Sequence, residues 1–279
     1  MIFEIIPFDC GSWKPPPPLP SSLQQEINLE KSFRYQFSPI RVFQGQHEWG
    51  FWDVKFVPIG SSLVGPHSPD KNPCFISCGS DASIRLWNIQ DGLIQVLHQT
   101  NEEFIQTIAI SPRDGTTIAF ACRADWSSDD YVGLRLKSGK IVALQGHAGY
   151  INRVQFSPDG TILAWASDNG SARLWCLSED YTECIKQLDL KGHKHCVNSI
   201  VFTPDGKLVV TASDDETIRF WRCDTGICIR TIPARHTPTC LAFTPRQGRI
   251  LFSGGDHQTI MVHQCSRIDC STPRHIKAD

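Results

Sequence analysis

The sequence predicts an all-β chain, a β-propeller of four-stranded antiparallel blades with about five recognisable units. Three observations carry that prediction. Residues 145–175, 191–221 and 233–263 align with one another, and the His147–Trp175 and His193–Trp221 separations are both 28 positions. Apolar residues alternate with period two, as in Val154/Phe156 and Ile200/Phe202, which suits strands with one buried face. The turns SPDG (157–160) and TPDG (203–206) recur at the same place in their units and put Pro and Asp-Gly where a chain reverses.

Each unit reads as four short strands. After the Asp-Gly turn comes a second strand, then a reversal at DNG (168–170) or DDE (214–216). A third strand follows (SARLWCL, TIRFWRC), then a fourth (CIKQLDL, GICIRTI). An earlier copy runs from GQH (45–47) to SCGSDASIRLW (77–87), lengthened by a Pro-, Gly- and Ser-rich loop at 58–73. Trp87 and Trp175 lie 88 positions apart, so a degenerate copy must fall between them. Residues 104–122 supply its first half and 131–139 its second, with Leu134 expected at the Trp position. The repeats are therefore approximately 45–90, 97–140, 145–188, 191–232 and 233–265, in a propeller of 33–265. Residues 1–32 read as a flexible Pro-rich arm and 266–279 as a loose tail.

Composition agrees with a globular chain. Of 279 residues, 41% are hydrophobic and 20% charged, enough to bury a core. The net charge of −2 argues against a dedicated nucleic-acid or membrane-surface binder, which needs a basic face. No apolar run is long enough to span a bilayer, and the start, with Glu4, Pro7 and Asp9, lacks the pattern of a signal peptide. The twelve cysteines contain no C-x-x-C pair; the near misses are Cys74/Cys78, Cys223/Cys228 and Cys265/Cys270. They read as reduced, small hydrophobes in strands.

The pairs Gly146-His147 and Gly192-His193, the turns SPDG and TPDG, and the strand endings RLW (85–87), RLW (173–175) and RFW (219–221) together resemble the WD-repeat family. The Trp of these strand endings is never followed by Asp; Asn88, Cys176 and Arg222 follow instead. The resemblance implies a buried hydrogen-bonded network of His, Ser or Thr, Asp and Trp in each blade. By motif position it comprises His47, Ser77, Asp81 and Trp87, and again His193, Thr211, Asp215 and Trp221. A third unit keeps His147 and Trp175 but has Trp165 and Asn169 between them, and the last has His236 and Ser253 with His257 and His263. The resemblance also implies a ring, in the family usually of seven blades. Two readings stand: five blades close with the help of residues 33–45, or the ring is partial, as in a truncated isoform.

No catalytic residue is expected. His47, Ser77 and Asp81 are the types of a nucleophilic triad, but the same types recur in register with Trp, as a structural network does. Neither a metal site nor a cofactor is expected; His193-Lys194-His195-Cys196 and His257/His263 occupy repeat positions. No P-loop, dinucleotide or zinc-protease motif occurs. Binding by loops at one face is the expected activity. Trp49 and Trp52 stand where neighbouring units carry Gly149, His195, Asn152 and Asn198, so Trp49, Trp52, Tyr150, Asn152, His195 and Asn198 form the candidate protein-binding rim. Phe51, aligned with Ile151 and Val197, is expected in the core, and Arg85, Arg173 and Arg219 on exposed strand positions. Lys14, Pro17 and Pro20 within Trp13–Pro20 have the spacing of a polyproline ligand for a polyproline-recognition domain.

These readings converge on a non-catalytic scaffold for intracellular protein–protein interactions. The alternative is a substrate-recognition subunit of a multi-protein enzyme complex such as a ubiquitin ligase. The expected partners are proteins or peptides, not nucleic acid or membrane. The expected compartment is the cytoplasm, with the nucleus as the alternative.

Overall fold

The computed structural model describes residues 47, 50–58, 60–64, 73–100, 104–123, 131–144, 149–234, 236–244, 250–255 and 260–264. The chain divides into Met1–Val42, which lies outside these residues, and Phe43–Asp279. The second unit is a five-bladed β-propeller. Its first blade is β1 (Phe51–Phe56), β2 (Cys74–Gly79), β3 (Ser83–Asn88) and β4 (Gly92–Gln99). The second is β5 (Phe104–Ile110), β6 (Ile118–Arg123), β7 (Tyr131–Arg135) and β8 (Ile141–Leu144). The third is β9 (Ile151–Phe156), β10 (Ile162–Ser167), β11 (Ser171–Leu177) and β12 (Cys184–Lys191). The fourth is β13 (Val197–Phe202), β14 (Leu208–Ser213), β15 (Thr217–Arg222) and β16 (Cys228–Pro233). The fifth has three described strands, β17 (Pro238–Phe243), β18 (Ile250–Gly255) and β19 (Ile260–Gln264). Within each sheet the strands pair antiparallel in chain order.

Local chemistry explains the repeated shape. Ser157 Oγ donates to Asp159 at 2.6 Å and Thr203 Oγ1 to Asp205 at 2.6 Å, so each Asp braces its own turn. Gly160 and Gly206 then adopt φ of 70° and 69°, which favours glycine. At the next reversal Asp81, Asn169 and Asp215 each accept from the hydroxyl two residues on, in Ser83, Ser171 and Thr217, at 2.8, 2.8 and 2.6 Å. The residue between must turn left-handed. It is Gly170 in the third blade, but Ala82 (φ 54°) and Glu216 (φ 59°) in the first and fourth.

The core lies between blades. Ile76, Cys78, Ile84 and Leu86 of the first blade pack with Ile105 and Ile108 of β5. Ala119, Ala121, Val132 and Leu134 of the second pack with Ile151, Val154 and Phe156 of β9. Ala164, Ala166, Ala172 and Leu174 of the third meet Val197, Ile200 and Phe202 of β13. Val210, Ala212, Ile218 and Phe220 of the fourth meet Leu241 and Leu251. One face of each blade thus covers the inner strand of the next. Hydrogen bonds follow the same direction. The Ile108 amide donates to Asp53 Oδ2 (3.2 Å), the Val154 amide to Thr107 Oγ1 (3.5 Å) and the Leu241 amide to Ser199 Oγ (3.2 Å). These amides lie just after a β-bulge in each inner strand.

Two sequence expectations need correction. Phe51 is exposed, not core: its counterparts Ile105, Ile151 and Val197 are covered by the preceding blade, and β1 has no described blade before it. The residue at the Trp position of the second blade is Arg135, not Leu134. Ile118 pairs with Arg135 as Phe75 pairs with Trp87.

Because a left-handed non-glycine residue costs roughly 1–2 kcal/mol, Glu216→Gly is expected to stabilise the fold by about 1 kcal/mol. A urea-unfolding comparison of the two proteins checks this, and an unchanged or lower midpoint contradicts it.

Candidate interaction face

The polar network of the first blade is complete. Trp87 Nε1–H donates to Ser77 Oγ at 2.7 Å, and Ser77 Oγ is 2.8 Å from His47 Nε2. His47 Nδ1 is 2.6 Å from Asp81 Oδ1, and Asp81 also accepts from Arg85 at 2.6 Å. The fourth blade repeats it with Trp221 to Thr211 (2.8 Å), Thr211 to His193 Nε2 (2.7 Å) and His193 Nδ1 to Asp215 (2.9 Å). One tautomer satisfies every atom. Nδ1–H donates to the carboxylate, and Nε2 accepts the hydroxyl proton, whose oxygen accepts the indole N–H. The imidazole is therefore neutral. Burial lowers the pKa of both histidines and outweighs the raising effect of the paired aspartate. Burial works to raise Asp215, but hydrogen bonds from Thr217, His193 and the Lys194 amide prevail and bring it to about 2.

The other blades replace this network in different ways. In the second, Phe120 occupies the hydroxyl position, paired across the sheet with Gly133. Any side chain at Gly133 would collide with the Phe120 ring. Arg135 at the Trp position instead donates to Leu97 O of the first blade at 2.8 Å. In the third, Trp165 and Trp175 pack at 5.0 Å between ring centroids, and Trp175 Nε1 has no acceptor among the described residues. His147 lies outside those residues. In the fifth, Ser253 Oγ is 3.1 Å from His263 Nε2 and His236 Nδ1–H donates to Ala234 O at 2.6 Å, while His257 is outside the described residues. The arginines expected on free strand surface are half-buried instead. Arg85 pairs with Asp81, and Arg173 with Asp189 at 2.6 Å.

At the entry to the inner strands a row of side chains crosses three blades. Trp52 is 54% exposed and donates Nε1–H to Ser80 Oγ at 2.8 Å. Its ring stacks on Phe104 at 5.4 Å and 23°. The Arg123 guanidinium lies 5.2 Å from the Phe104 centroid and 3.8 Å from that of Tyr150. Trp52, Phe104, Arg123 and Tyr150 thus form one aromatic–cation row, an arrangement in which each cation–π contact is worth about 0.5–2 kcal/mol. Phe104 and Arg123 were not singled out from the sequence. The repeat register carries the signal: Phe104 stands directly before Ile105 as Tyr150 stands before Ile151, and Arg123 stands where other blades have Ser80, Asp168 and Asp214.

The remaining rim candidates behave differently. Asn152 Nδ2 donates to Val197 O at 3.0 Å, and Asn198 Nδ2 to Asp214 Oδ1 at 2.5 Å and Pro238 O at 3.3 Å. Both amides tie their blade to the next one. His195 is exposed on the loop before β13. Trp49 and the Lys14, Pro17 and Pro20 motif lie outside the described residues.

Comparison with known proteins agrees with this geometry. The model for the WD domain, G-beta repeat matches residues 37–88, 138–176 and 182–222. The chain carries WD repeats. Nuclear distribution protein nudF 2 of Penicillium rubens is 31% identical over 151 residues, covering 48% of this chain and 32% of that protein. The WD repeat-containing protein 26 homolog of Arabidopsis thaliana is 37% identical over 95 residues, covering 34% of this chain and 16% of the relative. The WD-repeat chain therefore matches a third or less of the length of these relatives.

WD-repeat propellers are typically non-catalytic interaction scaffolds. Among the described residues no three His, Cys, Asp or Glu side chains gather as a metal ion would require. Burial raises the thiols of Cys78 and Cys223, the latter to about 12, so neither is a thiolate at neutral pH. No helix among the described residues is long and apolar enough to cross a membrane.

Two outcomes follow from the polar networks. A histidine whose pKa is lower in the folded than in the unfolded state stabilises the fold above the unfolded value, near 6.5, and that contribution is lost as pH falls below it. The lowered Asp81 and Asp215 act in the same sense at more acid pH, their contribution disappearing as pH falls from the unfolded value of 3.8 through the folded one. The urea midpoint should therefore drop from pH 7.5 to pH 5 and again towards pH 3; a flat profile contradicts a neutral network. Thr211→Val removes the hydroxyl but keeps the shape, so it should cost about 1–3 kcal/mol by orphaning the Trp221 N–H and His193 Nε2. Thr211→Ser should retain most of the stability in the same unfolding assay.

Proposed function

We propose that this WD-repeat protein is a non-catalytic scaffold that binds a partner protein through the face bearing Trp52, Phe104, Arg123 and Tyr150. WD-repeat propellers generally mediate protein–protein interactions, and the finer reading concerns which face is used here. The row Trp52–Phe104–Arg123–Tyr150 carries it. Four side chains from three blades are brought into one partly exposed line, combining flat apolar area with a fixed cation. Trp, Tyr and Arg are the residue types that dominate interface energetics. The chemistry suits a peptide or loop presenting a carboxylate beside an aromatic or aliphatic side chain. The carboxylate would meet Arg123 and the apolar group would stack on Trp52.

Other surfaces fit less well. Asn152 and Asn198 spend their amides on neighbouring blades. A groove of about 280 Å³ lined by Lys55, Ile110, Gln155, Phe156 and Phe202 is smaller than the pockets of about 300–1,000 Å³ that hold drug-sized ligands.

The test is quantitative affinity capture of a stoichiometric partner, identified by mass and then titrated in purified form. Trp52→Ala and Arg123→Ala should each weaken binding by about 30-fold, equivalent to a hot spot of about 2 kcal/mol. Ile185→Ser, at an exposed site on the outer strand β12, should leave it unchanged. Equal binding by all three variants would show that this face is not the interface. An adaptor or cullin-type subunit in the captured complex would turn the reading to a recognition subunit of a ligase.

A further inference from the structure

The two ends of the blade series have a property no internal blade shares. In β5, β9 and β13 the residues equivalent to Phe51 and Val54 of β1 are buried: Ile105 and Ile108, Ile151 and Val154, Val197 and Ile200. Each set is covered by the preceding blade. In the first blade Phe51, Val54 and Phe56 are 51, 58 and 74% exposed. The Val54 amide differs in the same way. Its counterparts in Ile108, Val154 and Leu241 donate to the preceding blade, whereas Val54 N–H turns to the carboxylate of its neighbour Asp53 at 2.9 Å.

The fifth blade is the mirror case. The face that each blade turns to its successor carries Ile76, Ile84 and Leu86 in the first, Ala164, Ala172 and Leu174 in the third, and Val210, Ile218 and Phe220 in the fourth, all buried. The register puts Phe252, Ile260 and Val262 at these positions in the fifth, and they are 37, 73 and 51% exposed. Among the described residues one end therefore presents an inner strand with no blade before it, and the other a blade face with no blade after it. The four contacts inside the chain show that these two surface types pack on one another. The Val54 amide, turned to its neighbour Asp53, stands where the other blades clasp a predecessor, and open apolar area on both sides completes the match. Apolar side chains of this size are each worth about 1.5–3 kcal/mol when fully buried.

We propose that these ends dock on each other between two copies of the chain, the Phe51/Val54/Phe56 face of one seated on the Phe252/Ile260/Val262 face of another. The contact is heterologous, so it pairs unlike surfaces and either closes into a small ring of copies or extends. It uses the outward faces of the end blades rather than the aromatic–cation row.

That asymmetry supplies the test. The full 279-residue chain is examined by sedimentation velocity over a hundredfold concentration range, together with Val54→Lys and Ile260→Lys. Both substitutions lie at exposed sites, and circular dichroism checks that each variant folds. The wild type should form species of at least twice 31.3 kDa as concentration rises. Each variant alone should remain monomeric, because every contact needs one face of each type. An equimolar mixture of the two should recover a dimer that grows no further, since it holds one intact pair of faces. A wild type monomeric at every concentration overturns the proposal, whether residues 1–46 of the same chain or a different protein covers the ends. Association that persists in the single variants, or a mixture that stays monomeric, overturns it equally. Should either lysine variant fail to fold, Phe56→Glu and Val262→Glu repeat the same mixing experiment. Partner capture through Trp52 and Arg123 is scored separately, so the two readings fail independently.

Discussion

Apolar contact between successive blades holds this molecule together. Hydrogen bonding within one blade satisfies the backbone but leaves two apolar faces, and a lone four-stranded sheet buries neither. The side chains that fill the four junctions differ in bulk. Alanines 164, 166 and 172 of the third blade meet Val197, Ile200 and Phe202 of the fourth, while Val210, Ile218 and Phe220 meet Leu241 and Leu251 of the fifth. Close packing of this kind penalises both voids and overfilling, so each junction fixes the partner it accepts. The buried His–hydroxyl–Trp networks depend on it, since only a dry junction makes an unpaired indole N–H costly.

Much of this was legible in the sequence because the repeat supplies its own internal alignment. Strand order, turn chemistry at Asp159–Gly160 and Asp205–Gly206, and the complete networks of the first and fourth blades all follow from residues recurring in phase. The degenerate second blade was harder. Without a Trp to anchor it, Leu134 and Arg135 are one step apart, and a one-step shift exchanges the two faces of a strand. The pairing of Ile118 with Arg135 settles it. Phe51 was misread for a different reason. Its pattern is that of a core residue, but burial at this position is conferred by the blade before it, which local periodicity does not reveal.

The rim was legible only in part. Trp52 stood out because its counterparts are asparagines. Its stacking on Phe104, and the lodging of Arg123 between Phe104 and Tyr150, join residues up to 98 positions apart. Register alone would have suggested Phe104, but the cation–aromatic row emerges only when three blades are set side by side. The same rim position thus serves two ends. An amide there, as in Asn152 and Asn198, ties neighbouring blades, whereas the Trp52 indole stays largely exposed.

The clasps from Ile108, Val154 and Leu241 to the preceding inner strands have a mechanical consequence. They lie on the innermost strand of each blade, while the outer strands β4, β12 and β16 are largely exposed. Polar bonds on the innermost strands with apolar contact further out make a hinge with a latch. Thermal opening would swing the outer strands apart first while the inner ones stay tethered. Amide exchange should then run from the rim of each blade inward, with the bulge amides among the last to give way.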